Sequence, residues 1–416
     1  MVAIVADDLS GACDTAVKLS GSGHSIQVLM APEKWAHADT ARNQVIALAT
    51  NTRAMKPEEA YQVVFDAAIK IADQQWSLVY KKVDSLLRGN VAAELEAMMN
   101  ATAADMAILV PAIPANGRVV RNGMIISPAQ DLEDVDAVCR LQQREAFTAA
   151  SIGLDTIRSG PIVLREALLR CCNAGYCAVV LDGENEEDLR IAAVAIRDLP
   201  FRPLLSGAAG WISHLIKSED CENAGCVAHW LERVPRENRR VLVVAGTANP
   251  VTRYQISRLM ERPNIGCVKV DVDACLRGEG QAEADKCLEN IQDLLCEAPD
   301  HLVLAVSSLF RGAEACAEDS NGEISVPQIV GTIAAITQQV VKENQFDILF
   351  LMGGETAYQV LNRINMDDMN ILCEFMPGVP VNTVHREGRE TIVVTKSGGF
   401  GDQDTIVDLI DYVEQN

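Results

Sequence analysis

The stretch Lys396-Ser397-Gly398-Gly399-Phe400-Gly401-Asp402-Gln403-Asp404-Thr405 follows a β-branched run, Thr391-Ile392-Val393-Val394-Thr395. It precedes a segment with Ile406, Leu409, Ile410 and Val413 at helical spacing. The run predicts a buried strand and the spacing an amphipathic helix, so the stretch reads as strand, glycine turn, helix. Asp402 or Asp404 suits the N-cap, and the glycines let backbone N–H groups at the positive end of that helix approach an anion such as phosphate. Tight packing in an ordinary βα turn explains the same glycines.

The pattern extends to the N-terminus, with side chains in place of glycine. Val2 to Ala6 reads as a strand, Asp7-Asp8 ends it, and a helix runs from Gly11 to Leu19. Carboxylates at the carboxyl end of a parallel strand sit where open α/β sheets bind ligands. They suit hydroxyl recognition, Mg²⁺ coordination or base catalysis; capping would use only one of them. Val45 to Ala49 runs into Asn51-Thr52-Arg53, and Pro57 opens the next helix. Ser77 to Tyr80 leads into Lys81-Lys82-Val83-Asp84-Ser85-Leu86-Leu87-Arg88-Gly89-Asn90, with a helix from about Val91 to Met99. Such a cluster suits a small polyhydroxylated anion: Lys and Arg pair with its carboxylate, and Asp and Asn meet its hydroxyls. Met106 to Val110 feeds a loop whose Pro111, Pro114 and Gly117 stiffen the presentation of Asn116 and Arg118. Pro128 to Asp155 is polar and irregular and reads as a cover over that site, and Cys221 to Arg240 as a linker.

Beyond the linker the turns are small. Val241 to Val244 precedes Ala245-Gly246-Thr247-Ala248-Asn249-Pro250, and Asp347 to Met352 precedes Gly353-Gly354-Glu355-Thr356. With the 396–405 turn, several helix N-termini are available to face one nucleotide. Neither a Walker P-loop, nor a G-x-G-x-x-G after a strand, nor the protein-kinase motif set occurs, so nucleotide binding would use another arrangement.

A chain of 416 residues exceeds what one core usually organises. The expectation is an α/β protein of two domains, 1–235 and 236–416, each a largely parallel sheet with flanking helices, and an active site in the interdomain cleft. Lys+Arg number 36 against 58 Asp+Glu, a formal charge of −22 without a basic run, which argues against nucleic-acid or anionic-membrane partners. Self-association is left open. The 13 Cys never form C-x-x-C and read as reduced core residues. With no signal-like N-terminus and no long apolar stretch, the reading is a cytoplasmic protein.

Five blocks resemble the signature sequences of the four-carbon acid sugar kinases. They are Val5-Ala6-Asp7-Asp8-Leu9-Ser10-Gly11-Ala12, Lys81 to Asn90, Pro114 to Arg118, Gly353 to Ala357 and Lys396 to Gly401, in the family's order. The resemblance implies an N-terminal sugar-acid domain, a C-terminal ATP domain, and ATP-dependent phosphorylation of the 4-hydroxyl of D-threonate, D-erythronate or a 3-oxo-tetronate. It implies acid-sugar contacts at Asp8, Arg53, Lys82, Val83, Asp84 and Ser85, to which the loop reading adds Arg88, Asn116 and Arg118. Phosphate cradles are implied at Gly353, Gly354, Glu355 and Thr356 and at Gly398, Gly399, Phe400 and Gly401, with Lys396 beside the latter. Thr247 stands where the family usually has serine near ATP, and Leu86 and Ser10 each replace a more usual threonine. The segment after Arg118 does not resemble the histidine- and proline-bearing tract of the 3-oxo-tetronate branch, which leans the expectation towards D-threonate or D-erythronate, D-threonate first.

The mechanism expected is that Asp8 or Asp84 orients, and can deprotonate, the attacking hydroxyl while Lys82, Arg53 and Arg118 hold the carboxylate. The glycine turns with Mg²⁺ would stabilise the transferring phosphoryl group. The metal's ligands are left unassigned. Two rival readings are a metal-dependent phosphohydrolase using Asp7, Asp8 and Asp84, and a sugar-acid sensor without turnover.

Overall fold

A computed structural model describes the chain except residues 128–133, 217–229, 237–238, 298, 311–325, 344–345, 367 and 387–388. It forms two compact units, Met1–Cys221 and Glu222–Asn416. Much of the stretch read as a linker, 221–229 and 237–238, lies outside the described residues.

The strands of the first unit are β1 (Val2–Ala6), β2 (Ile26–Leu29), β3 (Val45–Ala49), β4 (Leu78–Lys82), β5 (Met106–Val110), β6 (Val119–Arg121), β7 (Met124–Ile126), β8 (Val135–Asp136), β9 (Ala149–Ile152), β10 (Ala178–Leu181) and β11 (Pro203–Gly207). Eight of them run parallel in the order β2-β3-β1-β4-β11-β5-β10-β9, and β6, β7 and β8 form a small antiparallel sheet. Strands β1, β3 and β5 are buried at every residue, which continuous apolar runs such as Val-Ala-Ile-Val-Ala allow when both sheet faces are covered. The helix Pro57–Ala72 supplies such cover, burying Ala60, Val64, Ala67, Ala68 and Ile71 along one stripe. From β1 the chain builds β2 and β3 on one side, and from β4 it builds the other side. The carboxyl ends of β1 and β4 therefore flank a topological switch point, where open α/β sheets leave a crevice.

The second unit comprises β12 (Val241–Ala245), β13 (Ile265–Val270), β14 (His301–Val306), β15 (Ile348–Met352), β16 (Asp368–Met376), β17 (Val379–Arg386) and β18 (Arg389–Lys396). The order is β13-β14-β12-β15-β18-β17-β16, with the first five parallel and the last two joined antiparallel. Its switch point lies between β12 and β15.

Three sequence expectations are corrected. The stretch read as a polar, irregular cover contains β9, the edge strand of the parallel sheet, with Ser151 exposed and Ile152 buried, and its residues 128–133 lie outside the described residues. Strands β2, β16 and β17 went unread because their apolar residues are interrupted by Gln27, Asn370, Glu374 and Asn382. The ten described cysteines are free as expected, but only Cys13, Cys275, Cys287 and Cys373 are buried, and Cys139 and Cys296 are exposed. Among the described residues no helix is long and apolar enough to cross a membrane.

Candidate functional site

Adjacent strands β3, β1 and β4 deliver their loops side by side: Ala6 is in register with Ala49 on one flank and Lys82 on the other. Asp8 caps the helix Leu9–Val17, its Oδ1 accepting from the Gly11 N–H at 2.8 Å and its Oδ2 from Ser10 Oγ at 2.8 Å. Arg53 spans both aspartates. Its Nε and Nη2 donate to Asp7 at 2.7 and 3.0 Å, and its Nη1 to Asp8 Oδ2 at 2.9 Å. Burial alone would raise the Asp7 carboxyl, but Arg53, Lys81 and Lys82 hold it below the usual carboxylate range.

The loop after β4 closes on the same cluster. Asp84 accepts from the Leu86 N–H at 3.0 Å and from Arg88 Nε and Nη2 at 3.0 and 2.7 Å, and lies 3.9 Å from Arg53 Nη2. Burial opposes its ionisation; hydrogen bonds and charge from Arg88, with Arg53 and Lys82, outweigh it and keep Asp84 well below its ordinary value. Leu87 takes a left-handed backbone (φ 53°) although wholly buried, a strain the surrounding contacts must hold. Gly89 (φ +83°) lets the loop come against Arg53, and Asn90 Nδ2 ties it to the Thr52 carbonyl at 2.9 Å. Lys82 is 6% exposed and makes no ion pair among the described residues. Arg118 Nη1 donates to Ser85 Oγ, and burial lowers its guanidinium. Asn116 is exposed on the short turn Pro114–Asn116. Val83 differs from its neighbours: its side chain is in the core and its N–H is taken by the Gly207 carbonyl at 3.0 Å.

Behind the cluster lies a network that sequence reading missed. Lys81 and Glu94, 0% and 1% exposed, pair at 2.7 Å. Glu94 also accepts from Thr52 Oγ1 at 2.7 Å, and Lys81 donates to the Lys82 carbonyl at 2.8 Å. The network fixes the residues before Arg53 and at Lys82 together. Glu94 lay inside a helical pattern and gave no signal of this.

The second unit brings together three turns rich in glycine and small residues. Strands β12, β15 and β18 are neighbours, and their three turns meet. A Cβ on Gly246 would stand 2.5 Å from Thr356 Oγ1, and one on Gly398 would stand 3.3 Å from Thr247 Oγ1 and Asn249 Cβ. Gly353, at φ +101°, precedes the helix Gly354–Arg363 and packs on Thr247 and Thr356. Thr247 Oγ1 accepts from the Asn249 N–H at 3.3 Å, and Asn249 caps the helix Pro250–Leu259 through the Val251 N–H at 2.9 Å. Thr356 is buried, whereas Glu355 is exposed and accepts from Gln359. Asp404 occupies the N-cap position of the helix Thr405–Gln415 without a side-chain cap bond, and Asp402 Oδ1 instead accepts from the Asp404 N–H and Thr405 Oγ1, both at 3.1 Å. Phe400 packs on Gly378, and Lys396 Nζ turns to carbonyls of the glycine turn.

The chain matches two family models, a sugar-binding N-terminal domain over residues 2–215 and a nucleotide-binding C-terminal domain over residues 242–406. It is 30% identical over 415 residues to a D-threonate kinase of Cupriavidus necator, covering 96% of this chain and 95% of that protein. The chain belongs to the four-carbon acid sugar kinase family. A D-threonate kinase of Salmonella typhimurium is 27% identical over 433 residues, with 99% and 98% covered. Relatives named D-erythronate kinase and 3-oxo-tetronate kinase match at 26% and 24%. The fold is also that of a crystal structure of a Salmonella typhimurium LT2 protein, with a TM-score of 0.74, 21% identity and 98% of each chain covered.

Within this family frame the charged cluster falls in the unit that matches the sugar-binding model, and the glycine turns fall in the unit that matches the nucleotide-binding model. Asp7, Asp8 and Asp84, the ligand set of the hydrolase alternative, are each bound by arginine, and among the described residues no group of three His, Cys, Asp or Glu is gathered to hold a metal.

Proposed function

We propose that the protein is an ATP-dependent kinase that phosphorylates the 4-hydroxyl of a four-carbon acid sugar, with D-threonate as the substrate. The observation that carries the reading is the contrast between the two switch points: ion-paired side chains at the first, glycine amides and hydroxyls at the second. The D-threonate kinases among the relatives favour that acid over its isomers.

In this reading the carboxylate of the acid sugar meets Lys82, with Arg88 and Arg118 at the rim, since guanidinium forks match carboxylate geometry. Arg53 is committed to Asp7 and Asp8 and acts by holding them in place. Asp84 or Asp8 orients the 4-hydroxyl. A carboxylate held as low as Asp84 is a weak base, and phosphoryl transfer with a loose transition state asks chiefly for orientation of the nucleophile. Ser85 and Asn116 are hydroxyl partners, and Val83 contributes backbone. On the nucleotide side, Thr247, Gly353, Gly354, Glu355 and Thr356 and the turn Lys396 to Gly401 supply the phosphate cradles. Magnesium borne by the nucleotide keeps waters and phosphate oxygens and needs only one or two carboxylates, so the lack of a three-ligand cluster among the described residues fits it.

The test is ADP release from ATP and Mg²⁺ with D-threonate, D-erythronate, their enantiomers, 3-oxo-tetronates and a longer aldonate. Turnover with D-threonate at the highest kcat/KM is expected. ATP binding with no turnover across the panel would replace the kinase with the sensor reading.

A further inference from the structure

Lys396 ends β18 with its side chain turned inward. It is 1% exposed, and its Nζ donates to three carbonyls of the turn that follows, Ser397 at 2.9 Å, Gly398 at 3.1 Å and Phe400 at 2.9 Å. No carboxylate pairs with it among the described residues, so carbonyl dipoles alone compensate its charge. Across a trans peptide the C=O of one residue and the N–H of the next point in opposite directions. Drawing in the carbonyls of 397, 398 and 400 therefore turns the N–H groups of Gly398, Gly399 and Gly401 the other way.

The hydrogen bonds agree with this geometry. None of those three glycine amides has an acceptor among the described residues, whereas the Phe400 N–H, which follows a carbonyl that Lys396 does not hold, donates back to Ser397 O at 3.1 Å. The helix Pro250–Leu259 reinforces the arrangement: Thr252 Oγ1 donates to Gly398 O at 3.0 Å and Gln255 Nε2 to Phe400 O at 3.2 Å. The outward side is open, since a Cβ on exposed Gly399 would meet only Asn249 Nδ2, at 3.7 Å.

We propose that Lys396 is a positioning residue: by drawing three carbonyls inward its ammonium aims three glycine amides outward as one concavity for the nucleotide's phosphates. This rests on the nucleotide reading of the second unit and deepens it, because Lys396 acts on phosphate through the turn and not by contact. A lysine that touched phosphate would have to give up at least one of the three carbonyls that take its N–H donors.

The experiment is calorimetric titration of the full chain with Mg²⁺-ADP, with D-threonate titration and thermal melting as controls. Lys396→Met is expected to weaken ADP binding about tenfold or more while D-threonate binding holds. Thr252→Val, which removes a second donor on Gly398 O and leaves Lys396 in place, is expected to weaken ADP about twofold to fivefold. Unchanged ADP affinity in Lys396→Met overturns the proposal. So does a loss confined to Lys396→Met with none in Thr252→Val, which would mark direct contact. If Lys396→Met does not fold, Thr252→Val decides alone. Failure of the wild-type chain to bind ADP would instead remove the nucleotide reading beneath it.

Discussion

The two units place their candidate sites at the same topological position and build them from opposite materials. At the β1/β4 switch point Asp7, Asp8, Arg53, Asp84 and Arg88 hold one another through ion pairs between side chains, with the Lys82 ammonium unpaired beside them among the described residues. At the β12/β15 switch point the proposed reading makes backbone amides the working groups, and the side chains Thr247, Asn249, Thr252, Gln255 and Lys396 bond to the backbone of these turns. A side-chain site is sensitive to lost charge, because removing one partner strands another in low dielectric. A backbone site is sensitive to added atoms, because a Cβ fills the space the ligand or the neighbouring turn requires.

The largest break in this contrast is Arg53→Ala. It leaves Asp7, whose side chain is 3% exposed, without its guanidinium, and is expected to cost about 3 kcal/mol in urea unfolding and to abolish acid-sugar turnover. A loss below about 1 kcal/mol would show that the cluster tolerates an unpaired carboxylate.

Next comes Gly401→Ala. The residue sits at φ +77°, and a Cβ would overlap Thr405 Oγ1, so a cost of about 1–2 kcal/mol is expected, with a raised KM for ATP and an unchanged KM for the acid sugar. Equal shifts in both constants would remove the distinction between the units.

Much of this division was legible in the sequence, for particular reasons. Strand ends such as Ala6-Asp7-Asp8 and Met352-Gly353-Gly354 announce themselves because an apolar run stops abruptly at the chemistry. The partnerships were not legible. Nothing local says that Arg53 is consumed by Asp7 and Asp8, or that Glu94 reaches Lys81 and Thr52, because these pairs are made by strand order across distant segments. The orientation of Lys396 escaped for another reason: whether a strand-end lysine points to ligand or to its own turn depends on a few backbone torsions, which composition does not encode.

A third prediction concerns pH. Burial pulls Lys396 down to about 7. The ammonium has three N–H donors for its three carbonyls and the neutral amine only two. A bound phosphate anion favours the ammonium, so ADP affinity should fall as pH rises from about 6 to about 8, more steeply in wild type than in Lys396→Met. Parallel profiles would contradict this. Phosphate ionisation is common to both proteins and cancels in the comparison.

The smallest effect is expected from Arg88→Ala. Asp84 is held below its unfolded value, so its contribution is present above about pH 4 and is lost as pH falls through the folded value. Removing Arg88, whose side chain is 61% exposed, should cost no more than about 1 kcal/mol at neutral pH and move acid unfolding to a slightly higher pH. A shift to lower pH would reverse the assigned sign.

Two-substrate steady-state kinetics on Asp84→Asn and Gly398→Ala test the division of labour most directly. The account predicts that Asp84→Asn lowers kcat and raises KM for D-threonate with KM for ATP unchanged, while Gly398→Ala, whose Cβ would press on Thr247 and Asn249, raises KM for ATP alone. The opposite assignment, or variants that move both constants together, would contradict it.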